Sequence, residues 1–236
     1  MGVGPLSFNS GMPTIIWTPH TDFTSLSIGS KLVTLDGLRE LVQNLLSEAK
    51  RFLATEVLMH LQLPEMDAVV QRQQHYVDNC RNNRPGYSFL DDPDNSLQQY
   101  EGCLHLAFLS SPSTARKFVI NSPAIGDDGK LQYNSDACYA WLRKTGKFLD
   151  ILTALIHIGG GQAARAEELA TLLIRNSQSS HRGVYYMGDT NTIMLSTTYH
   201  KGRSIKGSDR VVPRMLPKSV GDLLLQYLVI VRPLEV

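Results

Sequence analysis

The feature that most constrains the fold is a change of apolar rhythm at Gly159-Gly160-Gly161. Before these glycines, apolar residues recur at three- and four-residue spacing, the period of helices with one buried face. After them, β-branched and aromatic residues gather into short runs separated by turn residues, the pattern of strands. A chain of this kind is expected to be a mainly helical α+β protein, with its helices first and a small three-stranded antiparallel sheet late. The glycine run ends the last long helix, because glycine accepts the positive φ needed at a helix C-terminus. Such a run can also cradle phosphate, but the Gly-Lys-Ser/Thr of a nucleotide loop does not follow it.

Three regions are expected. Residues 1–33 mix Gly, Pro, Ser and Thr with scattered apolar residues, so an irregular lead-in is predicted. Residues 34–92 form a helical N-terminal region, and residues 93–236 the later core. Leu38, Leu41, Val42, Leu45, Leu46, Ala49, Phe52 and Leu53 make one amphipathic helix, with Asp36 as its cap. Glu65 to Asn82 reads as a more polar helix, broken by Arg84-Pro85-Gly86. Asp91-Asp92-Pro93-Asp94-Asn95 is turn chemistry, and its carboxylates lack the ligand spacing of a calcium loop.

Helices are expected again over Leu97 to Leu109 and Ser113 to Ile120. A long one, capped by Asn134 or Ser135, runs from Asp136 toward His157 and is expected to be the most buried. Gly183 to Met187 and Thr192 to Tyr199 form a hairpin around Gly188-Asp189-Thr190-Asn191. Asp209 to Arg214 adds a third strand. A last helix follows Pro217, with Val220, Leu223, Leu224, Tyr227 and Leu228 facing inward.

With 236 residues, 42% of them hydrophobic, the chain is long enough to bury a sizeable core. Its net charge of +1 hides an asymmetry. Residues 1–160 carry 13 Lys and Arg against 16 Asp and Glu, whereas residues 161–236 carry 10 against 6. The basic final third suits a polyanionic partner as well as it suits an ordinary solvated surface. Cys80, Cys103 and Cys138 show no paired spacing and read as reduced core thiols, and His157, His181 and His200 show no metal spacing. No metal or cofactor is expected. No apolar run reaches the roughly 20 residues of a membrane span, and the first 25 residues show no secretion signal. An intracellular protein is expected.

The candidate chemistry lies in the final third. Arg165 and Glu168, three residues apart, are expected on one helix face, with Glu167 on another. A guanidinium meets two non-bridging phosphate oxygens with charge-assisted hydrogen bonds, and Glu168 can hold it in place. Lys201, at the tip between two strands, can act as a general acid toward a departing sugar oxygen. His200, Arg203, Lys206, Arg210 and Arg214 read as contacts to a DNA backbone. The bland alternatives are a surface ion pair for Arg165 with Glu168, and edge-strand charges that block aggregation for the others.

The order of these pieces is Arg165-x-x-Glu168-Leu169 on a helix, two strands, a Lys201-Gly202 tip, a strand ending in Val212-Pro213, and a helix. It resembles the first half of a tyrosine recombinase catalytic domain over about residues 134–236. Gly86-Tyr87-Ser88-Phe89-Leu90-Asp91-Asp92-Pro93 and Val231-Arg232-Pro233-Leu234-Glu235 are similar to a fungal mobile-element family, in which a recombinase-like region lies upstream of a RecQ-type helicase. The resemblance implies a partial recombinase-like core, DNA as partner, a nuclear location, and Arg165, Glu168 and Lys201 as the matching site residues. In that family a His-x-x-Arg motif and the nucleophilic Tyr follow the helix that here ends near Val231. The given sequence stops at Val236, so strand cleavage is expected to need another chain or domain. The alternative expectation is a non-catalytic interaction or scaffold protein that keeps the fold.

Overall fold

The computed structural model describes residues 15–17, 24–121, 131–199 and 210–235. The chain divides into two compact units, Met1–Asn44 and Leu45–Val236. It is a mainly helical α+β protein with small antiparallel sheets, as expected.

In the first unit, β1 (Ile15–Trp17), β2 (Ser25–Ile28) and β3 (Lys31–Thr34) form an antiparallel meander where an irregular lead-in was expected. A turn at Gly29-Ser30 sets Ile28 opposite Lys31 and carries the register to Ser25 opposite Thr34. Ser25-Leu26-Ser27-Ile28 does alternate, but four residues are too few to stand out from a Gly- and Pro-rich background. Helix α1 (Leu35–Phe52) follows at once. The Thr34 hydroxyl accepts the Gly37 N–H at 3.0 Å, so Thr34 takes the capping role expected of Asp36. Asp36 instead pairs with Arg39 on the surface at 2.7 Å.

The second unit is built around α5 (Ser135–Gly159) and α7 (Lys218–Gln226), the latter continued by a wider turn over Tyr227–Val231. The Asn134 side chain caps α5 by accepting the Ala137 N–H at 3.2 Å. Trp141, Phe148, Leu152 and Leu155 of α5 are buried. The Trp141 indole donates to the Val57 carbonyl at 2.9 Å, which satisfies its only polar group. The most buried segment is nevertheless the last helix, not α5: every residue from Leu223 to Val231 except Gln226 is buried, while Tyr139 and Leu142 of α5 face outward.

Around this pair lie α2 (Pro64–Gln71), α3 (Cys103–Ser110) and α4 (Pro112–Phe118). Phe108 of α3 stacks on Phe118 of α4 at 5.3 Å and meets Trp141 edge-on at 5.9 Å. The helix expected over Leu97 to Leu109 is divided by a turn at Glu101-Gly102, and the one expected to reach Ile120 gives way to β4 (Val119–Asn121), paired with β5 (Gln132–Tyr133). The α-helix predicted to reach Asn82 ends at Gln71, and the chain is extended by Tyr76. Cys80 is exposed, and Cys103 and Cys138 are half-buried, so none is a fully buried core thiol.

The glycine break falls where expected, with α5 ending at Gly159 and Gly161 at φ +84°. Beyond it come the short helix α6 (Ala166–Ala170) and the sheet β6 (Val184–Met187), β7 (Thr192–Tyr199) and β8 (Arg210–Met215), antiparallel in that order. Val184, Tyr186, Ile193 and Leu195 form its buried face. A Cβ at Gly221 would stand 2.8 Å from the Thr192 hydroxyl, so α7 approaches β7 as closely as it does because residue 221 has no side chain.

Candidate functional site

The site predicted from sequence is partly assembled and partly rearranged. Arg165 is not inside a helix. It sits just before α6 with extended backbone, φ −70° and ψ 153°, so it shares no helix face with Glu168. The two meet instead through the backbone: the Arg165 N–H donates to Glu168 Oε2 at 3.4 Å. Arg165 is exposed, and the buried Ala164 beside it anchors the turn. Glu167 is exposed.

Glu168 turns toward the sheet. Its Oε2 accepts from Arg214 Nη2 at 3.2 Å and from the Thr197 hydroxyl at 3.4 Å. Arg214 was expected as an exposed contact to a DNA backbone, and the structure corrects this. The side chain is 5% exposed, with Nε donating to the Gln162 carbonyl at 2.6 Å and Nη1 to the Thr197 hydroxyl at 2.5 Å. Alternation explains the inward aim. In β8, Val211, Pro213 and Met215 are exposed, whereas Arg214 shares the inner face with Val212 and, just beyond the strand, Leu216. That two-residue period was the signal available in the sequence.

Arg210 begins β8 opposite Tyr199. His200, Lys201, Arg203 and Lys206 lie outside the described residues, and so does the expected approach of Lys201 to Arg165. Tyr227 is buried and donates to Glu235 Oε2 at 2.7 Å. Burial, reinforced by the Glu235 carboxylate, pushes its phenol well above the usual range, which suits a packing role better than that of a nucleophile. The turn carboxylates also have structural partners. Asp91 pairs with Arg175, while Asp92 accepts from the Tyr87 hydroxyl at 3.1 Å and the Asp94 N–H at 3.2 Å. Among the described residues no group of His, Cys, Asp or Glu could hold a metal ion.

A second buried arginine was not anticipated from sequence. Arg182 Nη2 donates to Asp78 Oδ1 at 2.5 Å, and its guanidinium lies over the rings of Tyr87 and Tyr185, 4.8 and 4.5 Å from their centroids. Asp78 Oδ2 accepts the Tyr186 N–H at 2.9 Å. Burial pushes the Asp78 carboxyl up, and the Tyr186 N–H and Arg182 draw it back. Likewise Gln73, buried, donates to Asp222 at 2.8 Å and accepts from Lys218 at 2.6 Å. Its partners lie some 145 residues along the chain, which no local spacing announces.

No family model matches the chain, and no solved structure matches it. No helix among the described residues is long and apolar enough to cross a membrane.

Proposed function

We propose that the chain binds the phosphate backbone of DNA and is related to the tyrosine recombinases, with a nuclear location following from that role. One observation carries the reading. Through Glu168, the backbone of Arg165 just before α6 is fastened to Thr197 of β7 and Arg214 of β8. These two strands flank the segment that holds His200, Lys201, Arg203 and Lys206 and leads to Arg210. The exposed Arg165 is thereby tied to the two strands that the most basic stretch of the sequence connects. Guanidinium and ammonium groups are the side chains that hold consecutive phosphates.

The reading assigns residues 1–236 the grip on phosphate rather than strand cleavage. Buried Tyr227, with its raised phenol, supports that division, and a nucleophile would come from another chain or domain. The test is duplex binding followed by fluorescence anisotropy across a salt series. Affinity should fall steeply with salt and vary little with sequence. Neutralising Lys201, Arg203, Lys206 and Arg210 together should flatten the slope, by about 0.9 for each phosphate that is no longer neutralised. On a nicked suicide substrate no denaturation-resistant adduct should form. Binding that is absent at low salt, or indifferent to salt, would favour a protein-interaction role instead.

A further inference from the structure

We infer that Arg214 is a positioning residue for Arg165, acting through Glu168. The inference rests on the DNA-binding reading above and adds to it a residue that touches no DNA. The Arg214 guanidinium uses all three of its nitrogens at once: Nε on the Gln162 carbonyl, Nη1 on the Thr197 hydroxyl and Nη2 on Glu168 Oε2. The Thr197 hydroxyl accepts from Arg214 and in turn donates to Glu168, which closes a ring of three side chains. That same Glu168 oxygen also accepts the backbone N–H of Arg165. Arg214 thus holds the chain on both sides of Arg165, at Gln162 before it and at Glu168 after it.

Stability alone is a weak explanation for this arrangement. A buried ion pair contributes little over apolar residues of the same volume, because desolvation offsets most of the attraction. What the ring supplies is direction. It fixes the extended backbone at Arg165, and with it the point from which the exposed side chain departs. Lysine in place of Arg214 keeps the charge but has one nitrogen, so it cannot bond Gln162, Thr197 and Glu168 in the same planar fork.

A double-mutant cycle tests this. Arg165→Ala should weaken duplex binding roughly tenfold and lower the salt slope by about one phosphate. Arg214→Lys and Thr197→Val should each reproduce most of that loss, including the change of slope, in protein whose near-ultraviolet circular dichroism matches the parent. Added to Arg165→Ala, either should cost nothing more, because the residue it positions is already gone. A purely structural Arg214 would give folded variants with unchanged slope, or losses that multiply with those of Arg165→Ala, and either result overturns the inference while DNA binding stands. If Arg214→Lys does not fold, Thr197→Val, which leaves both charges in place, decides the matter on the same criteria. Failure of the parent protein to bind duplex DNA at all would defeat the underlying reading itself.

Discussion

Two arginines are buried against the same three-stranded sheet, and they differ in what their partners touch next. Arg182, just before β6, is 1% exposed and its partner Asp78 is 0% exposed. Two aromatic rings, of Tyr87 and Tyr185, pack against its guanidinium, and the Asp78 carboxylate accepts the Tyr186 backbone N–H. Arg214, in β8, has oxygen atoms around it rather than rings, and its partner Glu168 is 13% exposed at the start of α6. The first centre is closed. It ties the chain near Asp78 and Tyr87 to the sheet, and its outward link runs through the Tyr87 hydroxyl to the turn carboxylate of Asp92. The second runs from the core to a surface arginine. Burial of charge by itself therefore does not set the two pairs apart; what each is bonded to nearer the surface does, a turn carboxylate for the first and the Arg165 backbone for the second.

The largest expected effect comes from opening the closed centre. Arg182→Ala leaves the Asp78 carboxylate in the interior without its counter-charge and should cost about 3–5 kcal/mol in urea unfolding. Arg214→Ala should cost less, about 2–3 kcal/mol, because the partly exposed Glu168 can recruit water in its place. Trp141 fluorescence can follow both transitions. Equal losses would undo the contrast, since they would mean that Glu168 is as dependent on its arginine as Asp78 is.

Alkali should separate the two centres next. Tyr87, Tyr185 and Tyr186 surround or adjoin the Arg182 side, and burial raises the phenol of each, that of Tyr186 to about 12. A phenol whose folded pKa lies above its unfolded value contributes stability that is fully present below about pH 10 and lost as pH climbs through the folded value. Stability should therefore decline between about pH 10 and 12, by up to about 1.4 kcal/mol per pH unit for each such tyrosine. Tyr186→Phe should lower the stability at pH 7, since its hydroxyl bonds the Gln73 carbonyl and Asn191, and should flatten the alkaline decline. An unchanged slope in that variant would show that Tyr186 titrates normally.

What was legible in the sequence follows from the range of the forces involved. α5, the β6–β7 hairpin, β8 and α7 were all read from apolar period and turn residues, because each is decided within a few neighbours. α2 is shorter than its apolar period predicts, because Gln73 and Asp78 leave the helix for Asp222 and Arg182, partners 149 and 104 residues away. The candidate site divided in the same way. That Arg165 and Glu168 belong together was visible from spacing, but that they meet through backbone, with Glu168 held from the far side by Arg214, depends on a strand 46 residues later. By charge Arg214 is one more member of a basic cluster, and only the alternation of β8 sets it inward.

The smallest effect belongs to a third pair that serves as the exposed control. Arg175 bonds Asp91 in a bidentate fork at 2.7 and 2.8 Å, a better geometry than either buried pair shows, yet its side chains are 53% and 39% exposed. Geometry alone would rank this pair first. Solvent reverses the ranking, because water competes for both charges and ordering two long side chains costs entropy. A double-mutant cycle on Arg175→Ala and Asp91→Ala should give a coupling of about 0.2–1 kcal/mol. Raising the salt to about 1 M, where the screening length is near 3 Å, should shrink it further. The loss in Arg182→Ala should hardly respond to salt, since ions do not reach a pair enclosed by Tyr87 and Tyr185. A salt-insensitive coupling for Arg175 and Asp91, or one as large as that of the enclosed pair, would mean that bidentate geometry rather than burial sets the energies of the ion pairs in this protein.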